Sequence, residues 1–165
     1  MSDTRPFTIL FVCTGNTCRS PMAEYAMRAL LEKERPGRTR VLSAGMGAAD
    51  GYPATQYAIE ASKMWDLDLT PHGSQMLTPA LVDDADLIFA MTPEHHRAVL
   101  RLSGNAEDKT FLLKSFPDNT PVGEGVDDPI GQPLEKYNRV FLEIGECLGK
   151  YLDAIVQRID GRTSA

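Results

Sequence analysis

The sequence predicts an α/β domain: a four-stranded, mostly parallel sheet with helices on both faces. Three observations carry this. The runs Phe7 to Val12 and Leu87 to Met91 are short and nearly continuously apolar, as strands buried on both faces require. A helical pattern with proline in its first turn, Pro21 and Pro93, follows each of them. Strands and helices then alternate along the chain, which implies right-handed crossovers and a parallel sheet.

In chain order, Phe7 to Val12 is the first strand. Pro21 sits in the first turn of a helix whose apolar face is Met22, Ala26, Ala29 and Leu30, up to Pro36-Gly37. Arg40 to Ser43 reads as the second strand, closed by Ala44-Gly45, and Ala54 to Met64 as the second helix. Leu87 to Met91 is the third strand and Pro93 to Leu102 the helix after it, with His95 and His96 on an exposed start. Thr110 to Leu113 is a short fourth strand. A loop with Pro and Gly spans Pro117 to Gly131. The last helix opens at Gln132-Pro133 with Glu135 in its first turn. Its stripe, Leu134, Tyr137, Phe141, Ile144, Leu148, Tyr151, Ile155 and Ile159, steps by three and four. Gly145 and Gly149 weaken it, and Asp160-Gly161 is expected to end it. With 165 residues, no repeat and no linker, residues 1–165 read as one domain with its core at about 7–160.

Composition narrows the function. A chain 42% apolar and 24% charged reads as an ordinary globular protein, and a net charge of −6 argues against nucleic acid or anionic membrane as partner. No stretch reaches the roughly 20 apolar residues of a membrane span. The residues before Phe7 lack a signal-peptide pattern, so the three cysteines suggest free thiols in a reducing cytoplasm. For Cys147 the expectation is a small buried hydrophobe.

Cys13 and Cys18 stand in V-C-T-G-N-T-C-R-S-P, Val12 to Pro21, between a strand and a helix. A nucleotide loop needs a second Gly and a Lys that are absent, and a dinucleotide fingerprint needs glycines beyond Gly15. Zinc needs further ligands at suitable spacing, so no metal is expected. The remaining pattern is Cys-x5-Arg. Thr14, Gly15, Asn16, Thr17 and Cys18 can curl so that their backbone N–H groups form an anion nest at a helix N-terminus. Arg19 then returns to grip phosphate oxygens. Cys13 lies under the phosphorus in a field expected to depress its pKa, and Ser20 can donate to the sulfur. The arrangement is a phosphate trap with a nucleophile at its floor. Alone the pattern recurs by chance; its place between strand and helix gives it weight.

Phosphoryl transfer to sulfur also needs an acid and then a base. G-V-D-D-P offers Asp127 and Asp128, with Pro129 holding Asp128 extended. Adjacent carboxylates are expected to raise the pKa of one of the pair. The competing reading is a solvated turn.

Together these segments resemble the low-molecular-weight protein tyrosine phosphatases. F-V-C-T-G-N-T-C-R-S-P-M-A-E (Phe11 to Glu24) looks like that family's signature loop. S-A-G at Ser43 to Gly45, A-D-L-I-F-A-M-T at Ala85 to Thr92, and Asp128-Pro129 fall where the family has similar segments. The resemblance covers about Phe7 to Tyr151. It implies a four-stranded parallel sheet, Cys13 as nucleophile, Arg19 as phosphate clamp and Asp128 as acid then base. It further implies Asn16, Ser20, Ser43 and His72 as support of the loop, no cofactor, phosphorylated proteins as substrates and inorganic phosphate as product.

The sequence departs from the tyrosine phosphatases at Thr17, where isoleucine is common, and in lacking a clear aromatic wall for a phosphotyrosine ring. Its loop C-T-G-N-T-C-R-S looks like the branch that acts as protein arginine phosphatases. That implies phosphoarginine as favoured substrate, with Thr17 setting selectivity and phosphotyrosine as the alternative. Arsenate reduction would need resolving cysteines beyond Cys147, and a phosphoprotein-binding module would need no nucleophile. Cys18 is placed to trap an oxidised Cys13 as a disulfide.

Overall fold

The first strand, β1 (Phe7–Cys13), is buried at every residue. It pairs in parallel with β2 (Thr39–Gly45) on one side and β3 (Leu87–Ala90) on the other. β4 (Thr110–Leu112) pairs with β3, giving the order β2-β1-β3-β4. The computed structural model describes residues 4–118 and 123–163. The chain passes from β1 to β2, then crosses to the far side of β1 for β3. Strand order therefore reverses beside β1, and a crevice opens at the carboxyl ends of β1 and β3.

Among the described residues five α-helices cover the sheet: α1 (Arg19–Glu34), α2 (Gln56–Lys63), α3 (Pro79–Asp84), α4 (Pro93–Leu102) and α5 (Leu134–Thr163). Alternate residues of β1 serve the two faces. Ile9 and Phe11 pack with Met22, Met27 and Leu31 of α1 and Ile144, Leu148 and Ile155 of α5. Leu10 and Val12 pack with Val82 of α3 and Val99 of α4. Each such side chain contributes about 1.5–3 kcal/mol when fully buried, and β1 is apolar at every position but Thr8.

The strands and the four predicted helices stand where expected, with ends shifted by a few residues. The second strand extends through Ala44 and Gly45, which pair with Val12 and Cys13. α3 was not expected. At six residues it is too short to show a period, although Thr78 accepts from Leu81 N as its cap and Pro79 opens it. Asp160-Gly161 does not end the last helix. Arg35 grips Asp160 through Nε at 2.8 Å and a terminal nitrogen at 2.7 Å, and Arg162 reaches Asp86 at 2.6 Å. These anchors and the burial of Ile159 outweigh the ~1 kcal/mol that a helical glycine costs. Of the loop predicted at Pro117 to Gly131, residues 119–122 lie outside the described residues; Val126 is buried and its N–H donates to Met91 O at 2.8 Å.

His95 and His96 correct the expectation of an exposed helix start. Both are buried, at 1% and 2% exposure. α4 turns His96 onto the sheet, Nε2 lying 3.2 Å from Thr110 O, and turns His95 toward the loop after β1.

Candidate active site

β1 ends at Cys13 and α1 begins at Arg19, so residues 14–18 form the connecting loop in the crevice. The loop curls because Asn16 takes a left-handed conformation, φ +58°, which asparagine tolerates better than most residues. Its side chain is wholly buried and fully used. Nδ2 donates to Ser20 Oγ and Ser43 Oγ, both at 2.8 Å, and Oδ1 accepts from Gln75 N at 2.9 Å. His72 Nε2 lies 2.7 Å from Asn16 O. Ser43 donates to Glu24 Oε1 at 2.6 Å, and Glu24 is paired with Arg28. β2 presses against the same loop: a Cβ at Gly45 would stand 2.3 Å from Thr14 O, so only glycine fits there.

Cys13 Sγ lies 2.8 Å from Ser20 Oγ and accepts from Asn16 N at 3.3 Å. Since Asn16 already donates to Ser20 Oγ, the serine proton is free to point at sulfur. No acidic side chain occupies the first turn of α1, whose positive dipole end therefore faces the loop uncompensated. The expected depressed thiol pKa is nevertheless not the resting balance. Burial pushes the Cys13 thiol up, and Ser20, Arg19 and the Asn16 N–H oppose that rise without overcoming it.

Arg19 is buried and held from the opposite side. One terminal nitrogen donates to Val126 O at 2.9 Å, and the other stands 3.5 Å from Asp128 Oδ2. Asp128 is half-exposed, and its Oδ1 accepts from Ile130 N at 3.1 Å. Its neighbour does something else. Asp127 points outward to Lys136 Nζ at 2.8 Å, which holds its carboxyl below the usual range. The expected mutual tuning of adjacent carboxylates is thus absent at Asp127, because a lysine neutralises it.

Residues 13–19 with Asp128 and Ile130 enclose a cavity of about 220 Å³, and none of these residues is aromatic. Thr17 lines it. Cys18 is buried with Sγ 3.4 Å from Thr55 Oγ1 and 3.6 Å from Tyr137 OH. Burial pushes the Tyr137 phenol up to about 12, so it remains a donor. Such an arrangement can bind a tetrahedral anion against backbone N–H groups and one guanidinium, with a sulfur below and a carboxyl beside it. Among the described residues no cluster of His, Cys, Asp or Glu could hold a metal, and no helix is long and apolar enough to cross a membrane.

Glu24, Gln75 and His95 belong to this neighbourhood; the first two were not singled out from the sequence, and His95 was read there as an exposed residue. Glu24 was legible: it follows Ser20 by four residues, on the same face of α1. Gln75 and His95 carry no local signal, because each reaches the loop from a distant element.

Residues 8–160 match the family described as low molecular weight phosphotyrosine protein phosphatase. A protein-arginine-phosphatase of Geobacillus stearothermophilus is 42% identical over 150 residues, covering 91% of this chain and 97% of the relative. A probable low molecular weight protein-tyrosine-phosphatase, EpsP, of Ralstonia nicotianae is 38% identical over 152 residues, covering 92% and 95%. The solved YwlE arginine phosphatase of G. stearothermophilus superposes with a TM-score of 0.82 at 36% identity, over 92% of this chain and 94% of that one.

Proposed function

Because the chain belongs to the low molecular weight phosphotyrosine protein phosphatase family, we propose that it hydrolyses phosphorylated protein side chains through a cysteinyl-phosphate, with phosphoarginine the favoured substrate. The observation that carries the mechanism is Cys13 Sγ, Arg19 and Asp128 lining one small cavity at a helix N-terminus. Attack requires the thiolate, which the Ser20 hydroxyl, the Asn16 N–H and Arg19 stabilise against the cost of burial. The S–P bond forms as the P–N bond of phosphoarginine breaks, and protonated Asp128 delivers its proton to the leaving nitrogen. Asp128, now a carboxylate, takes a proton from water as that water attacks phosphorus. The S–P bond breaks and inorganic phosphate leaves. The loop N–H groups and Arg19 hold the phosphoryl oxygens throughout. The route uses no metal or cofactor.

Phosphoarginine is favoured because the cavity offers no ring to stack on a phosphotyrosine and presents the Thr17 hydroxyl instead. The named relatives divide between the two substrates, and the higher identity is to the arginine phosphatase. We assign residues 1–165 to one phosphatase domain with its core at about 7–160. A cytoplasmic setting suits its free thiols. The test is kcat/KM on phosphoarginine and phosphotyrosine peptides side by side. A higher value for phosphotyrosine would replace the arginine reading, and hydrolysis of neither would remove both.

A further inference from the structure

Thr14, Arg19 and Asp128 line two cavities. Beside the 220 Å³ pocket lies an open cleft of about 430 Å³, to which Thr92, His95 and Gly125 also contribute. His95 is buried there between two hydroxyls, with Nδ1 3.0 Å from Thr92 Oγ1 and Nε2 2.8 Å from Thr14 Oγ1. The segment before Asp128 packs closely on Thr92: a Cβ at Gly125, three residues before Asp128, would stand 2.9 Å from the Thr92 side chain.

Either tautomer gives the ring two hydrogen bonds and leaves one hydroxyl proton over. Exposure decides between them, because Thr92 is half-buried whereas Thr14 is exposed and lines both cavities. Thr92 Oγ1 already accepts from His95 N at 3.3 Å, as the cap of α4. A proton on Nδ1 would make that oxygen accept twice and leave the Thr92 proton without an acceptor among the described residues. With the proton on Nε2, Thr92 donates to Nδ1 and Nε2 donates to Thr14. The Thr14 hydroxyl, its oxygen engaged, then keeps its own proton for the cavities it lines. Burial and the neighbouring charge of Arg19 lower the His95 pKa to about 4 against the opposing pull of Asp128, so the ring stays neutral.

We propose that His95 is a positioning residue: it fixes Thr14 as a hydrogen-bond donor to the bound phosphoryl group. The inference rests on the phosphatase reading of the site. A histidine that only stapled α4 to the loop would serve as well in either tautomer.

The experiment compares His95→Gln, His95→Asn, Thr14→Val and the double variant His95→Asn/Thr14→Val. Readouts are kcat/KM on a phosphoarginine peptide and inhibition by vanadate. Glutamine can place an N–H near the position of Nε2; asparagine reaches only as far as Nδ1. His95→Asn and Thr14→Val should each lose about tenfold in kcat/KM, the low end for one hydrogen bond to a charged group. Vanadate affinity should fall in parallel. His95→Gln should stay near wild type, and the double variant should be no worse than the poorer single one. Glutamine as damaging as asparagine, losses that multiply in the double variant, or unchanged vanadate affinity would overturn the proposal. The nitrogen chemical shifts of the His95 ring in the wild-type protein decide the tautomer independently. A proton on Nδ1 refutes the relay even in a fully active enzyme. A wild type that turns over neither peptide and ignores vanadate refutes the phosphatase reading, whichever tautomer is found.

Discussion

Replacing Thr17 by isoleucine tests the substrate assignment at one side chain. Thr17 is half-buried on the wall of the 220 Å³ cavity. Its hydroxyl meets Cys18 Sγ only at 3.9 Å, a weak contact that leaves it available to a substrate. Thr55 N donates to Thr17 O at 3.0 Å, so the backbone is held and the substitution changes the side chain alone. Phosphoarginine and phosphotyrosine present the same phosphoryl head to Cys13 and Arg19, and those groups cannot tell them apart. Discrimination falls to whatever touches the bridging atom. Isoleucine keeps the β-branch but puts an ethyl arm where the hydroxyl was, which desolvates a bridging nitrogen and offers contact to a ring. Losing one buried polar contact costs roughly 1–3 kcal/mol, or about one to two powers of ten in specificity. The assay is kcat/KM for both peptides on both proteins. The ratio should move toward phosphotyrosine by that factor; a ratio that does not move refutes the role given to Thr17.

Cys13→Ser should abolish turnover while vanadate or phosphate still binds, since the loop N–H groups and Arg19 remain; steady hydrolysis by the serine variant would remove the nucleophile assignment. Asp128→Asn should cost on the order of 10² to 10⁴ in rate, the range for a positioned acid, whereas Asp127→Asn, facing Lys136, should cost far less. The opposite ranking would mean the acid is misassigned. Mild peroxide should inactivate the enzyme reversibly through a Cys13–Cys18 disulfide once Cys18 leaves Thr55 and Tyr137. Cys18→Ser should stay active but fail to recover with thiol reductant, and equal recovery would exclude the protective role. The lowered His95 pKa makes the unfolded chain bind the extra proton first. Its contribution to stability is therefore complete above about 6.5 and is lost as pH falls toward about 4. Unfolding curves against pH for wild type and His95→Gln should converge across that window; parallel curves would show that His95 does not titrate as stated.

The strands and the proposed phosphate loop were legible in the sequence because both are local. Apolar runs and proline-marked helix starts report the strand–helix alternation, and Cys13 to Ser20 carries the proposed nest, clamp and sulfur within one loop. Asp128 was legible from Pro129 beside it and from the resemblance. Tertiary structure decided what depends on elements far apart in the chain. Asp160-Gly161 reads as a helix end until Arg35 and the helix's own packing hold it helical. The two adjacent carboxylates look alike until Lys136 claims one and Arg19 faces the other. His95 reads as a surface residue until α4 folds it against Thr14, 81 residues earlier in the chain. Nearest-neighbour chemistry can be written in a stretch of ten residues. The pairing of charges and the burial of a polar ring are settled only where distant elements meet, because burial and hydrogen-bond partners there are properties of the packed fold.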